Sequence, residues 1–173
     1  MADLSLHLLG PPRITLGEDP VTGFESDKVR ALLVYLAGEA DRPHRRDALT
    51  GLLWPDWPDR TARKNLRNAL SNLRQAIDDH HAALPYLLIT RETIQFNTAG
   101  DHWLDMSAFT SVVDADAPTV PQLEQVLDLY RGSFLEGFFL KDSTPFDDWC
   151  LLVRERLRRH LLAALHQVAD HYT

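Results

Sequence analysis

The run from Asp59 to Ile77 constrains this chain more tightly than any other stretch. Its Ala62, Leu66, Ala69, Leu70, Leu73, Ala76 and Ile77 recur at three- and four-residue steps, the period of a helix with one buried face. The preceding Trp54-Pro55-Asp56-Trp57-Pro58 cannot continue a helix, so a new one must start at its end, capped by Asp59 or Thr61. At 100° per residue, Leu66, Leu70, Leu73 and Ile77 fall within about 60°. Opposite them lie Lys64, Asn68, Ser71 and Gln75, flanked by Arg60, Arg67 and Arg74 on one side and Thr61, Asn65 and Asn72 on the other.

Charge makes this outer face unusual. The whole chain carries a formal net charge of -7, yet five of its 18 basic residues lie within 60–78 against a single acid, Asp78. Residues 1–98 hold 12 Lys and Arg against 13 Asp and Glu, whereas 99–173 hold 6 against 12. The acidity therefore belongs mainly to the second half. The helix lacks the Glu partners that surface helices use for i, i+4 pairing. It offers long cations beside amides and a hydroxyl instead.

The surroundings of this helix set its context. "LSLHLLGPPRITLGEDP" alternates apolar and polar residues between Gly/Pro turns and predicts two or three short antiparallel strands. A first helix follows a Ser26 cap, with Val29, Leu32, Leu33, Leu36 and Ala37 on its apolar side and a stop at Gly38. A second, short helix begins after Pro43, with Ala48, Leu52 and Leu53 sharing a face. Beyond the third helix, "YLLITRETIQFN" predicts a hairpin whose tip is Arg91-Glu92-Thr93. Two helices, a basic third and a hairpin make a winged helix-turn-helix, closed by a boundary near residues 98–100.

Residues 99–173 read as helical. "WLDMSAFTSVVDA", "PQLEQVLDLYRG" and the final "PFDDWCLLVRERLRRHLLAALHQVADHY" carry helical patterns, joined by the apolar connector "GSFLEGFFL". The last is expected to bury Trp149, Leu152, Val153, Leu157, Leu161, Ala164, Leu165 and Val168. The fold expected is α+β: a winged-helix domain at 1–98, then an all-α domain at 99–173. Too few helical units are present for a stable repeat array, so the second domain is expected to be part of a larger one.

Arg and Lys reach phosphates and guanine edges, Asn and Gln pair with adenine, and Ser bonds either, so the third helix suits a DNA major groove. Lys64, Asn68, Ser71 and Gln75 are the base-facing candidates, with Asn72 beside them. Arg60, Arg63, Arg67, Arg74 and Arg91 are the phosphate candidates. Arg45 and Arg46 join them because a helix N-terminus favours anions.

The segments "LHLLGPPRITLG", "KVRALLVYLA", "RDALTGLLWPDWPDRTARKNLRNALSNLRQAI" and "GSFLEGF…DDWCLLVRERLRRHLLAAL" resemble the bacterial SARP-type transcriptional activators. Those join an OmpR/PhoB-like winged helix to a bacterial transcriptional activator domain of TPR-like hairpins. The resemblance runs over nearly the whole chain in the same order. It implies a three- or four-stranded initial sheet, binding to promoter repeats as tandem protomers or a homodimer, and contact with RNA polymerase. The family's helical domain usually extends further, and its larger members carry ATPase or sensor modules not found here.

Other chemistries find little footing. Cys150 is the only cysteine, which excludes a disulfide framework and fits a reducing cytoplasm. The eight histidines show no HExxH or CxxC spacing. No GxGxxG, GxxxxGK[ST] or GxSxG is present, so neither an enzyme, a cofactor nor a functional metal is expected. Asp147-Asp148 read as first-turn acids, and the four tryptophans as packing residues. The basic "RERLRRH" reads as a solvated face. No apolar run approaches the roughly 18 residues of a membrane span. The alternative to a DNA-binding regulator is an adaptor that uses the same scaffold for protein partners.

Overall fold

A computed structural model describes residues 3–173. The architecture is α+β, as the sequence implies: seven short strands in two small sheets and six α-helices among the described residues.

Three strands, β1 (Leu4–His7), β2 (Arg13–Leu16) and β3 (Asp19–Pro20), open the chain. Alternation sends Leu4 and Leu6 inward while their neighbours stay partly exposed. Helix α1 (Asp27–Gly38) starts at Ser26, whose side chain makes no cap hydrogen bond. Its Val29, Ala31, Leu32, Leu33, Val34, Leu36 and Ala37 are all buried, so it is a core helix. The next residues differ from the helical expectation: His44–Arg45 form a two-residue strand, β4, and α2 spans Arg46–Leu53. The buried pair on α2 is Leu49 and Leu53, one turn apart, while Ala48 is exposed and Leu52 only half-buried.

Helix α3 (Asp59–Ala76) follows the proline break. Pro58, not Asp59 or Thr61, occupies the cap position, and its carbonyl accepts from Ala62 N at 2.9 Å. Ala62, Leu66, Ala69, Leu70, Leu73 and Ile77 are buried in contact with α1 and α2. Each fully buried leucine contributes about 1.5–3 kcal/mol relative to exposure. The helix ends where Asp78 turns left-handed (φ 54°), leading into a 3-10 turn at Asp79–His81.

Strands β5 (Leu87–Ile89) and β6 (Thr93–Phe96) form the hairpin, with Leu87 opposite Phe96 and Ile89 opposite Ile94. Strand β4 adds to β6, placing Arg45 opposite Thr93 in a sheet ordered β4-β6-β5. The segment expected to open the second half as a helix begins instead as strand β7 (His102–Leu104), and α4 spans Asp105–Val113. The first sheet runs β3-β2-β1-β7. A Thr119–Gln122 capping box starts α5 (Val120–Leu127), and α6 spans Thr144–Tyr172. On α6, Cys150, Val153, Leu157 and Ala164 are buried, but Leu152 is 73% and Leu165 45% exposed, contrary to the expected stripe. Trp57 is likewise 47% exposed rather than packed.

The compact units are discontinuous in sequence. Of the described residues, one comprises 3–5, 15–102 and 140–148; the other comprises 6–14, 103–139 and 149–173. Within the second, the Asp105 carboxylate accepts from the Leu8 and Leu9 amides at 2.9 Å, and Leu135 N donates to Leu8 O. These long-range bonds tie the start of the chain to its second half. Among the described residues no helix is long and apolar enough to cross a membrane, and no cluster of three or more His, Cys, Asp or Glu could hold a metal.

Candidate nucleic-acid interface

All twelve candidate residues lie in the first unit, on α2, α3 and the β4-β6-β5 sheet with its hairpin turn. Burial of Leu66, Leu70 and Leu73 turns the opposite side of α3 outward, so Arg60, Arg63, Lys64, Arg67, Asn68, Ser71 and Gln75 are exposed. Among the described residues, Arg45, Arg60, Lys64, Arg67, Asn68, Ser71, Gln75 and Arg91 have side chains engaged in no hydrogen bond or ion pair. They are open to a ligand. Arg63 spends only its Nε, on Asp59 O at 3.3 Å.

Two depressions organise the cations. The first, about 220 Å³, is lined by Arg45, Arg46, Asp47, Arg63, Arg91 and Glu92. Helix α3, the start of α2 and the hairpin tip thus bring four guanidinium groups to one place although they are spread over 47 positions in sequence. The second, about 300 Å³, is lined by Arg46, Arg67, Leu70, Ser71, Arg74, His80 and Ile89. Like charges so gathered, with two carboxylates beside the first group, leave a positive field that favours a polyanion despite the net charge of -7.

Three candidates have other work. Asn72 is buried: its Oδ1 accepts from Glu25 N and its Nδ2 donates to Gly23 O, both at 2.9 Å. With both ends of its amide committed, it fastens the segment before α1 to α3 and cannot read a base. That corrects its assignment as a DNA contact. The Arg74 Nε donates at 3.2 Å to Asp79, whose side chain is fully buried and whose Oδ1 also accepts from Tyr86 N. Arg74 therefore neutralises a buried carboxylate first, with part of its guanidinium still facing the second depression. Arg46 donates from Nη2 to Thr90 O, and its own amide donates to Glu92 O, each at 2.9 Å. It ties the start of α2 to the hairpin turn, and its buried Nε has no partner among the described residues.

His80 is the residue that the sequence reading left out. Its Nδ1 lies 3.2 Å from Arg74 Nη2 on the rim of the second depression. Only the left-handed turn at Asp78 brings it back beside α3. Asp78 itself, the single acid of 60–78, was the one available hint.

No protein-family model matches the chain. It is 38% identical over 74 residues to the transcriptional regulatory protein EmbR of Mycobacterium bovis, and equally to EmbR of Mycobacterium tuberculosis. That alignment covers 43% of this chain and 19% of the relative. A solved structure of Mycobacterium tuberculosis EmbR in complex with a low affinity phosphopeptide matches over 94% of this chain, at a TM-score of 0.71 and 25% identity. The chain is thus similar to EmbR in sequence over those 74 residues and in fold over most of its length. Its fold is the winged helix followed by a helical region that the resemblance implies. The structural match spans 44% of the solved EmbR chain, so the relatives are considerably longer.

Proposed function

We propose that the chain is a DNA-binding transcription regulator that places α3 in the major groove. The reading rests on one observation above all: the outer face of α3 exposes Lys64, Asn68, Ser71 and Gln75 with no partners of their own among the described residues, and arginines of the same helix line two depressions beside it. In it, Lys64, Asn68, Ser71 and Gln75 face base edges. Arg45, Arg60, Arg63, Arg67 and Arg91 hold phosphates on either side, and Arg46 and Arg74 brace them. Kinship with EmbR, a transcriptional regulatory protein, supports the same direction.

The finer reading is an activator in the cytoplasm, bound to promoter repeats as tandem protomers or a homodimer, with the acidic half, residues 99–173, meeting RNA polymerase. Winged-helix modules at 1–98 and helical ones at 99–173 would divide these tasks. We propose no catalysis and no cofactor.

The rival is a protein adaptor built on the same scaffold. A double charge reversal, Arg63→Glu with Arg67→Glu, separates the two, because neither residue holds a buried partner. Fluorescence anisotropy with duplex DNA should show at least a hundredfold loss of affinity at an unchanged melting temperature. Retained affinity would remove α3 from the interface. Failure of the wild-type chain to bind any duplex at low salt would favour the adaptor.

A further inference from the structure

We propose that two copies of the chain pair through the outer face of α6, lying antiparallel, with Leu152 against the partner's Leu162 and Glu155 against the partner's Arg159. The contact gives the homodimer of the proposed function a surface. It is tested without DNA, so that it can fail while the DNA-binding reading stands.

Helix α6 carries apolar residues on two sides. From Trp149 onward it belongs to the second compact unit, where its Cys150, Val153, Leu157 and Ala164 are buried. At about 100° per residue, Leu152, Glu155, Arg159 and Leu162 stack on roughly the opposite side. All four are exposed, Leu152 at 73% and Leu162 at 47%. Their steps of three, four and three residues are those of a coiled-coil seam, which a partner helix covers by inserting its own side chains. Leu151 and Leu165, also exposed, lie along one rim of that seam and widen the apolar patch.

The order of residues along the seam selects a second copy. From either end it runs leucine, charge, charge, leucine: Leu152, Glu155, Arg159, Leu162. A parallel pair sets Glu155 against Glu155 and Arg159 against Arg159, like charges at the centre of the contact, which repel. An antiparallel pair about the level of Leu157 sets leucine against leucine at both ends and Glu155 against Arg159 twice in the middle. The seam is therefore self-complementary, as a two-fold contact requires. Within one copy Glu155 and Arg159 are only loosely paired, at 3.9 Å, so meeting a partner's opposite charge breaks no strong bond. The same arrangement carries Leu151 toward the partner's Leu165. Arg156 and Arg158 stand one on each rim, where long side chains turn to water. Their repulsion across the axis limits the strength of the pair and makes the dimer reversible.

Sedimentation equilibrium of the full chain reads the association, over about 1–100 μM and with no DNA present. Wild type should pass from monomer to dimer across that range. Glu155→Arg and Arg159→Glu each place like charges at the seam and should weaken the dimer by more than about tenfold. The double variant, Glu155→Arg with Arg159→Glu, exchanges the two charges and should restore it. Both positions are exposed, so the fold is not at risk, and equal melting temperatures verify this. Orientation is read by mild oxidation: Leu152→Cys mixed with Leu162→Cys should form a covalent dimer, and neither should cross-link to itself. The native Cys150 is buried and does not compete. A dimer indifferent to both single reversals, or single losses not recovered in the double variant, overturns the pairing. Self-cross-linking of Leu152→Cys overturns its antiparallel sense. A wild-type chain that stays monomeric throughout overturns it as well and leaves the seam to a different protein.

Discussion

Asn72 offers a direct way to separate what holds α3 in place from what it presents. Asn72→Ala removes two hydrogen bonds of 2.9 Å, to Glu25 N and Gly23 O, 47 and 49 residues away. A net neutral hydrogen bond contributes about 0.5–1.5 kcal/mol, and a stranded buried partner costs more. Gly23 and Glu25 are exposed, so water can replace the lost partners, which places the total at about 1–2 kcal/mol. For a chain of this size that lowers the melting temperature by about 2–8 °C. Asn68→Ala, one helical turn earlier on the outer face, should leave the melt within about 1 °C, since exposed positions without partners are usually neutral. In a paired assay of thermal melting and duplex binding, Asn72→Ala should lose stability and keep affinity, and Asn68→Ala the reverse. Weakened binding with an unchanged melt in Asn72→Ala would refute the reasoning, because it would mean that the amide meets DNA.

Two other perturbations probe the supports. Arg46→Ala should release the hairpin turn, raising amide hydrogen exchange at Thr90–Thr93 while exchange in α3 stays slow; unchanged exchange at the turn would count against its bracing role. Burial pushes the Asp105 carboxyl above its ordinary 3.8, partly opposed by the Leu8, Leu9 and Met106 amides. Between the ordinary and the raised value the folded state holds more of the proton, so this group favours folding at low pH and its contribution declines as pH rises through that window. Asp105→Asn should remove that component from the pH dependence of the melt between pH 4 and 7; an identical profile would show that Asp105 does not titrate differently on folding.

What was legible in the sequence follows the length of the signal. Helix α3 carries five turns of consistent periodicity, and its bounds shift only at the cap, where Pro58 stands one residue ahead of the expected start. The β5–β6 hairpin was equally plain from its alternation. Strands β3 and β4 have two residues each and β7 three, too few to display any period; they exist because a neighbouring strand edge accepts them. The outer stripe of α6 was misread for a related reason. Its leucines are spread widely around the helix, and periodicity alone does not say which of them meets a neighbour, so Leu152 and Leu165 were assigned to the inside.

At the candidate interface, the exposed cations and amides of α3 were visible because burial of one face dictates the other. Asn72, Arg74 and Arg46 differ because their roles depend on partners distant in sequence or on turn geometry. Asn72 needs Gly23 and Glu25, Arg74 needs a buried Asp79 beyond a left-handed turn, and Arg46 needs the hairpin. Residue type marks each of them as able to bond; only the fold decides to what.

The central claim, that α3 and its flanking arginines grip a DNA backbone, is tested most directly by the salt dependence of duplex binding. Five arginines on phosphates (Arg45, Arg60, Arg63, Arg67 and Arg91) predict a slope of log K against log salt concentration of about -4 to -5 for wild type, since each neutralised phosphate adds about -0.9. Removing Arg91 alone should make that slope shallower by about one. A slope near zero, or one indifferent to Arg91, would contradict the account.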